Sequence, residues 1–144
     1  MKVIKIAQVP PPVVQIDATI KEAIPAMGSQ HGCAVAVLDG RRLAGTLSRD
    51  DVMMRVIATG LNPETTRVRQ VMNVPAETVP MDTETDQALK LMFERKKCYL
   101  GIVDADGALK GWLAICNVFQ DHVEDMTREL DSLASYISAD GPGG

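Results

Sequence analysis

The chain contains an internal repeat, and this repeat constrains the fold more than any other feature of the sequence. A shift of 65 positions sets one half of the 144 residues on the other, and one extra residue in the second half then makes the shift 66. Identical pairs in this alignment are Val14 and Val79, Asp17 and Asp82, Ala23 and Ala88, Met27 and Met92, Cys33 and Cys98, Asp39 and Asp104, Leu43 and Leu109, Gly45 and Gly111, Leu47 and Leu113, and Val52 and Val118. A half of about 60 residues is only marginally stable alone. The sequence therefore predicts two copies of one unit packed into a single module.

Each half is predicted to run strand, helix, two strands joined by a tight turn, and a second helix. In the first half these are a strand at 13–16, a helix capped at 17–19 and carrying Ile20, Ala23, Ile24 and Met27, strands at 33–38 and 43–47 around the turn Asp39-Gly40, and a helix that Gly60 stops after Thr59. In the second half they are a helix through Ala88, Leu91 and Met92, strands at 99–103 and 109–113, and a turn at 104–107.

These elements predict an α+β fold of two β-α-β-β-α repeats, packed as a pseudo-two-fold pair and followed by a C-terminal helix. The expected boundaries are 8–72 for the first repeat with its connector, 73–125 for the second repeat, and 126–144 for the C-terminal helix and a flexible tail.

A Ser-x-x-Asp box, Ser48 to Asp51, opens the second helix of the first half. The Ser48 oxygen can cap free N–H groups of the first turn, and the Asp51 carboxylate adds negative charge at the positive end of the helix. By themselves the two residues predict a helix cap. The copy in the second half carries Ala114 and Asn117, so it lacks both the hydroxyl and the carboxylate.

Composition excludes several classes of function. A net charge of −4 and a pI near 5.1 disfavour a general nucleic-acid binder, and 3% aromatic residues disfavour a platform for stacking bases. The start of the chain lacks the apolar stretch of a signal peptide, and the apolar run 33–38 is far too short to cross a membrane. We therefore expect a cytoplasmic protein with reduced cysteines.

Catalytic and metal sites find little support in the residue pattern. His31 and His122 have no nucleophile or ligand at a telling spacing, so no catalytic residue, catalytic cofactor or metal ligand is predicted. Cys33 and Cys98 precede equivalent strands and are expected to be small buried residues. Tyr99 and Trp112 are expected to anchor the core or an interface.

The order of elements, the Gly-x-x-Ser-x-x-Asp box and the connector over 55–72 resemble a tandem pair of cystathionine-β-synthase (CBS) domains, a Bateman module. The connector run Ala-x-Gly-x-x-Pro-x-x-Thr-x-Val-x-x-Val-Met carries most of the resemblance, which covers roughly residues 8–125. It implies a non-catalytic regulatory module that binds an adenine nucleotide or related adenosyl ligand, such as AMP, ADP, ATP or S-adenosylmethionine, between the repeats. It implies a signal by conformational change and a homodimer.

The resemblance also implies which residues bind the ligand. Ser48 would meet the ribose–phosphate part, and Asp51 would accept hydrogen bonds from the ribose hydroxyls. The other residues implied are Arg49 as a basic group near phosphate, and Val14, Gln15, Ile16, Cys33, Ala34 and Val35 around the adenine. Asp50 is acidic where the family is often basic, which disfavours tight binding of di- and triphosphates. The altered second box implies that its cleft binds ribose poorly.

The last helix carries a second pattern. From Phe119 its apolar residues follow spacings of 4, 3, 4, 3 and 4 through Ile137, which is a heptad seam shorter than three heptads. The seam predicts a helix that covers the module's own core, or one that pairs with its twin or with a helical partner protein. Two functions stay open at this point: a nucleotide-sensing module and a ligand-free dimerisation or scaffold module.

Overall fold

A computed structural model describes residues 1–28 and 33–139, and it follows the predicted order of elements. The elements are β1 (Val13–Gln15), α1 (Ile20–Met27), β2 (Ala34–Asp39), β3 (Arg42–Ser48), α2 (Arg49–Val52), α3 (Val68–Val71), β4 (Thr78–Pro80), α4 (Thr85–Arg95), β5 (Tyr99–Val103), β6 (Leu109–Ala114) and α5 (Ile115–Ala139). A 3-10 turn at Val3–Lys5 precedes β1, and a π-helical turn at Met53–Ile57 extends α2. His31, Gly32 and the tail 140–144 lie outside the described residues.

The strands form two three-stranded sheets of the same design, in the orders β1-β2-β3 and β4-β5-β6. In each sheet the first strand is parallel to the middle strand, and the third is antiparallel to it. Even the irregularity repeats, because the register shifts between Val37 and Leu38 in one sheet and between Ile102 and Val103 in the other. The predicted fold of two β-α-β-β-α repeats is confirmed.

Each repeat has its own core, and a third cluster joins them. The first core contains Ile16, Ile20, Ala23, Met27, Val35, Val37, Leu47, Val56, Val68 and Val71, and the second contains Val3, Val79, Ala88, Met92, Leu100, Ile102, Leu113 and Val118. The joining cluster consists of Ala34, Ala36, Tyr99 and Trp112, with Cys33, Cys98, Leu43 and Leu109 packed against it. Because the repeat aligns Ala34 with Tyr99 and Cys33 with Cys98, equivalent faces of the two sheets meet in this cluster.

The two repeats exchange the segments that close them. The segment 66–73, which includes the end of the connector, covers the first repeat, where Asn73 pairs with Thr46 of β3. The start of the chain covers the second repeat, where Gln8 pairs with Trp112 of β6. Val3 is fully buried in the second core, so residues before position 8 belong structurally to the second repeat. This exchange was not predicted from the sequence.

The C-terminal helix is continuous with the last helix of the second repeat. It runs for 25 residues, so the expected boundary at residue 126 falls inside α5. Val118 is buried against the second core, but the seam from Phe119 onward is exposed, with Leu130 at 64%. Of the two alternatives left open for this helix, packing over the module's own core does not hold for the exposed seam from Val123 to Ile137. Phe119 makes an edge-to-face contact with Phe93 of α4, with the ring centroids 6.4 Å apart.

Candidate functional site

The Ser48 box is a complete reciprocal cap at the point where β3 turns into α2. The Asp51 N–H donates to Ser48 Oγ at 3.2 Å, and the Ser48 N–H donates to Asp51 Oδ2 at 2.8 Å. The Ser48 hydroxyl in turn donates to the same carboxylate oxygen at 2.9 Å. Both residues are buried, so the box is held rigidly by its own hydrogen bonds. The predicted capping role is confirmed.

A residue that sequence reasoning missed completes this site. The Asn73 side-chain amide donates a short hydrogen bond to Asp51 Oδ2, which makes Asn73 the third donor to that oxygen. Arg55, one turn after Asp51, donates to the carbonyl of Val71 at 2.9 Å and to Asn73 Oδ1 at 3.2 Å, and its Nε lies 3.8 Å from Asp51 Oδ1. These contacts tie the connector to the box.

The glycine that begins the box, Gly45, lies where β3 and residue 73 approach each other closely. A Cβ at this position would lie 2.5 Å from the carbonyl oxygen of Asn73, which is too close for any side chain. The backbones of β3 and the connector bond each other here, since the Asn73 N–H donates to the Thr46 carbonyl at 2.7 Å and the Thr46 N–H donates to the Asn73 carbonyl at 3.1 Å. The repeat aligns 66–75 with 1–10, but no local signal in the sequence identifies the contact of Asn73 with Asp51.

The second box keeps only part of this arrangement. The Ala114 N–H donates to Asn117 Oδ1 at 3.3 Å, which still caps the start of α5. Ala114 has no hydroxyl, and Asp121 stands at the position equivalent to Arg55. The second repeat therefore preserves the cap and replaces the charged groups around it.

The residues expected to frame adenine divide into two groups. Ala34 pairs with Ser48 across β2 and β3, and the Cys33 carbonyl accepts a hydrogen bond from the Arg49 N–H at 3.0 Å, so these residues lie beside the box. Ile16 and Val35 are core residues at 5% and 0% exposure, and Val14 packs against the same core.

Gln15 lies at the other end of its sheet's hairpin. Its side-chain amide donates to the Gly40 carbonyl, and its oxygen accepts from the Gly40 N–H, both at 3.2 Å. Binding of ligand by Val14, Gln15, Ile16 and Val35 stays a prediction, and these side chains are now engaged in the core or in the hairpin turn.

An aromatic stack within the second repeat and one hydrogen bond between the repeats lie next to the box. Tyr99 stacks on Trp112 with ring centroids 5.3 Å apart, and its hydroxyl shares a 3.1 Å hydrogen bond with the Thr46 hydroxyl. Burial raises the pKa of Tyr99 to about 12. The predicted anchoring role of Tyr99 and Trp112 is confirmed, since both are at most 2% exposed and lie in the joining cluster.

An apolar cleft of about 340 Å³ opens on the helical side of the first repeat. It is lined by Ile24, Met27, Gly28, Arg49, Val52 and Met53. Met54 and Ile57, on the turn that follows α2 and begins with Met53, are also exposed. The cleft is lined by Arg49 but not by the buried carboxylate of Asp51.

Neither a metal centre nor a membrane span is found in the part of the chain that the structure describes. Within residues 1–28 and 33–139, no cluster of three or more His, Cys, Asp or Glu side chains could hold a metal ion. No described helix is both long enough and apolar enough to cross a membrane.

Comparison with known proteins gives a consistent result. The family model for the CBS domain matches the chain twice, at residues 3–58 and 68–120. The CBS domain-containing protein CBSCBSPB3 of Arabidopsis thaliana is 36% identical over 75 residues, which span 52% of this chain and only 14% of that protein.

Solved structures share the fold. The conserved CBS domain protein TA0289 of Thermoplasma acidophilum superposes with a TM-score of 0.77 at 23% identity, covering 83% of this chain and 68% of that one. The protein CBSX2, solved in complex with AMP, superposes with a TM-score of 0.71 at 22% identity, covering 87% of this chain and 98% of that one. Pairs of CBS domains are regulatory and often bind nucleotides. The two family matches and the two three-stranded sheets together establish that this chain belongs to the CBS domain family, as a tandem pair.

Proposed function

We propose that this CBS pair is a non-catalytic regulatory module that binds an adenine nucleotide, most simply AMP, at the Ser48 and Asp51 end of the junction between its repeats. The observation that carries the proposal is the asymmetry of the two boxes. A helix start at this place needs only the cap that Ala114 and Asn117 provide. The first repeat has in addition a hydroxyl, a buried carboxylate and a neighbouring Arg49. The AMP complex of CBSX2, which has the same fold, supports the choice of ligand.

The chemistry of the ribose diol fits the two oxygens of Asp51. Oδ2 already accepts three hydrogen bonds, from the Ser48 N–H, the Ser48 hydroxyl and the Asn73 amide. Oδ1 forms an ion pair with Arg55, whose Nε lies 3.8 Å away. A ribose hydroxyl that donates to this carboxylate would form a charge-assisted hydrogen bond, which is about twice as strong as a neutral one.

Ligand binding here would be coupled to the connector. A diol that uses both carboxylate oxygens competes with Asn73 for Oδ2 and with Arg55 for Oδ1. Because these two side chains tie the connector to the box, a bound nucleotide would loosen residues 66–73 from the first repeat. This competition provides the conformational signal that the proposal requires.

The test is nucleotide binding by calorimetry and thermal shift, with AMP, ADP, ATP, adenosine, S-adenosylmethionine and NAD as probes. Saturation at about a hundred times Kd should add about 2.7 kcal/mol to the free energy of unfolding. Asp51→Asn should weaken AMP binding by roughly ten- to a hundredfold, because an amide offers one acceptor and places an N–H donor against a hydroxyl. The matched control is Asp50→Asn, which removes an exposed charge from the adjacent residue.

Two results would contradict the proposal. One is the absence of binding by every probe to the wild-type chain. The other is equal loss of affinity in both variants, which would mean that charge near the cleft matters and the carboxylate of Asp51 does not.

A second candidate function, a ligand-free dimerisation or scaffold module, is favoured by the exposed apolar surfaces. We propose that the chain is a homodimer and that the surface around Met53 and Ile57 pairs with a second copy, since a monomer leaves Ile57 60% exposed beside the apolar cleft.

Light scattering should give a dimer for the wild type and for Leu130→Asp on α5, and a monomer for Ile57→Asp. The reverse result would assign pairing to the seam of α5, with its twin or a helical partner protein. The cytoplasmic location stays a prediction.

A further inference from the structure

Cys33 and Cys98 meet because the repeat places them at the same point of the two halves. Each immediately precedes the middle strand of its sheet, β2 or β5, and each packs against the cluster that joins the sheets. Residues at equivalent positions near a pseudo-two-fold axis face each other across it. The two cysteines are therefore neighbours in space although 65 positions separate them in the chain.

Their contact is direct. The Cys33 thiol lies 3.5 Å from the carbonyl oxygen of Cys98, to which it donates. Because the Cys33 sulfur contacts the Cys98 backbone and both side chains pack against the joining cluster, the two side chains lie close to each other. Both residues are half-buried, which leaves the pair accessible to a small oxidant. The third cysteine, Cys116, is exposed on α5.

The two thiols differ in reactivity. Hydrogen bonding by the Cys33 side chain lowers the pKa of Cys98 to about 7, although burial and the charge of Asp50 oppose this change. The same hydrogen bond, together with burial, raises the pKa of Cys33, and Cys116 adds to that rise. Near neutral pH Cys98 is thus the nucleophilic thiolate, and Cys33 remains a protonated partner beside it.

We propose that Cys33 and Cys98 form a reversible disulfide that links the two repeats when hydrogen peroxide is present. The Cys98 thiolate attacks the peroxide, so that an S–O bond forms, the O–O bond breaks, the peroxide is reduced, and one water leaves after taking up a proton. The Cys33 sulfur then attacks the Cys98 sulfenic acid, which forms the S–S bond, breaks the S–O bond and releases a second water with the Cys33 proton.

The link would act on both boxes. The Cys33 carbonyl accepts from the Arg49 N–H at 3.0 Å and the Cys98 carbonyl accepts from the Ile115 N–H at 2.8 Å, so each cysteine holds the first residue of α2 or α5. A covalent bond between them would fix the starts of these helices relative to each other. Oxidation therefore provides a control of the junction that does not depend on nucleotide binding.

The test is titration of the reduced full chain with hydrogen peroxide, followed by alkylation and non-reducing peptide mapping. The wild type and Cys116→Ser should each lose the same two alkylatable thiols, those of Cys33 and Cys98, in one intrachain cross-linked peptide pair that dithiothreitol releases. The oxidised protein should melt roughly 5–15 °C above the reduced protein. Single variants Cys33→Ser and Cys98→Ser should form no internal cross-link.

A second measurement separates a reactive pair from a pair that merely packs. Peptide-level alkylation of Cys98 at neutral pH should slow by roughly five- to tenfold in Cys33→Ala, because the thiolate fraction falls while the nucleophilicity of each thiolate rises. Cys33→Ser keeps a hydroxyl donor and should restore most of the rate. Over-oxidation of Cys98 without a link, a link through Cys116, or links only between chains would overturn the proposal.

Discussion

The two boxes of this chain start equivalent helices with different chemistry. In the first, Ser48 and Asp51 cap each other, and Asn73 and Arg55 join them to the connector. In the second, one hydrogen bond from the Ala114 N–H to the Asn117 side-chain oxygen caps the same turn. The comparison teaches that the fold requires only the cap, so the additional hydroxyl and charge of the first box need another explanation, for which we propose ligand binding.

The closing segments repeat this contrast. Gln8 and Asn73 occupy equivalent places and make the same pair of backbone bonds, with distances of 2.8 and 3.0 Å for Gln8 and Trp112. Among the described residues, the Asn73 side chain donates a hydrogen bond to its box, and the Gln8 side chain does not. Both closing segments also bury a valine in the core, Val68 in the first repeat and Val3 in the second, so the bond from the Asn73 side chain to the box is what distinguishes the first.

Removal of the box side chains should give the largest difference between the repeats. Asp51→Ala leaves the Ser48 N–H and the Asn73 amide without their buried acceptor and should cost about 3 kcal/mol of unfolding free energy. Asn117→Ala removes one ordinary cap and should cost about 1 kcal/mol. Urea denaturation measures the loss of unfolding free energy in both variants. Equal losses would mean that the two boxes contribute equally to stability.

Truncation of the closing segments should give the next largest difference. Asn73→Ala removes donors to Asp51 and the acceptor for Arg55, and we expect a loss of about 1.5 kcal/mol. The matched control Gln8→Ala keeps its backbone pairing and should cost less than about 0.5 kcal/mol. Hydrogen exchange at residues 66–73 should increase in the first variant only. Unchanged exchange there would indicate that backbone pairing alone holds the connector.

The contact of Tyr99 with Thr46 also distinguishes the repeats, since the equivalent pair in the other half is Ala34 with Trp112. Tyr99→Phe should cost about 1 kcal/mol because the buried Thr46 hydroxyl loses its partner. The control is Tyr136→Phe on the exposed part of α5, which should change stability little.

The same residue predicts a dependence on pH. The folded-state pKa of Tyr99 is about 12, above its ordinary value of 10.0. A raised pKa favours the protonated phenol in the folded state, so this contribution is fully present below pH 10 and is lost as the pH rises toward 12. Chemical denaturation across this range should show the loss in the wild type and a smaller one in Tyr99→Phe. Parallel curves would contradict it.

The smallest expected effect concerns the charge one turn after each box. Asp51 faces Arg55, whereas Asn117 precedes Asp121 by the same four positions. Asn117→Asp adds a favourable negative charge at the start of α5 but places it four positions before Asp121, so it should change stability little, and adding Asp121→Arg should make it stabilising by about 0.4 kcal/mol. A double-mutant cycle at low salt measures the coupling. An unfavourable coupling energy between these two substitutions would show that the second repeat cannot accept the charge pattern of the first.

Much of the fold follows from the sequence. The strand-like run at 13–16 and the spacing of Ile20, Ala23 and Met27 are local signals, and each predicted the element that forms. The repeat then required the second half to copy the first, including the parallel and antiparallel pairing. The Ser48 cap was also predictable, because a capping box involves residues only three positions apart.

Tertiary structure decided what no local pattern records. Asn73 reaches Asp51 across 22 positions, Val3 enters the core of the second repeat, and Cys33 meets Cys98. These contacts depend on which distant segments pair. The entropy lost in closing a long loop depends only weakly on its length, so it does not distinguish correct from incorrect pairings, whereas packing does. The sequence by itself determined the unit and its duplication, whereas packing of the two units determined the exchange of their closing segments, the burial of Asp51 and the exposure of α5.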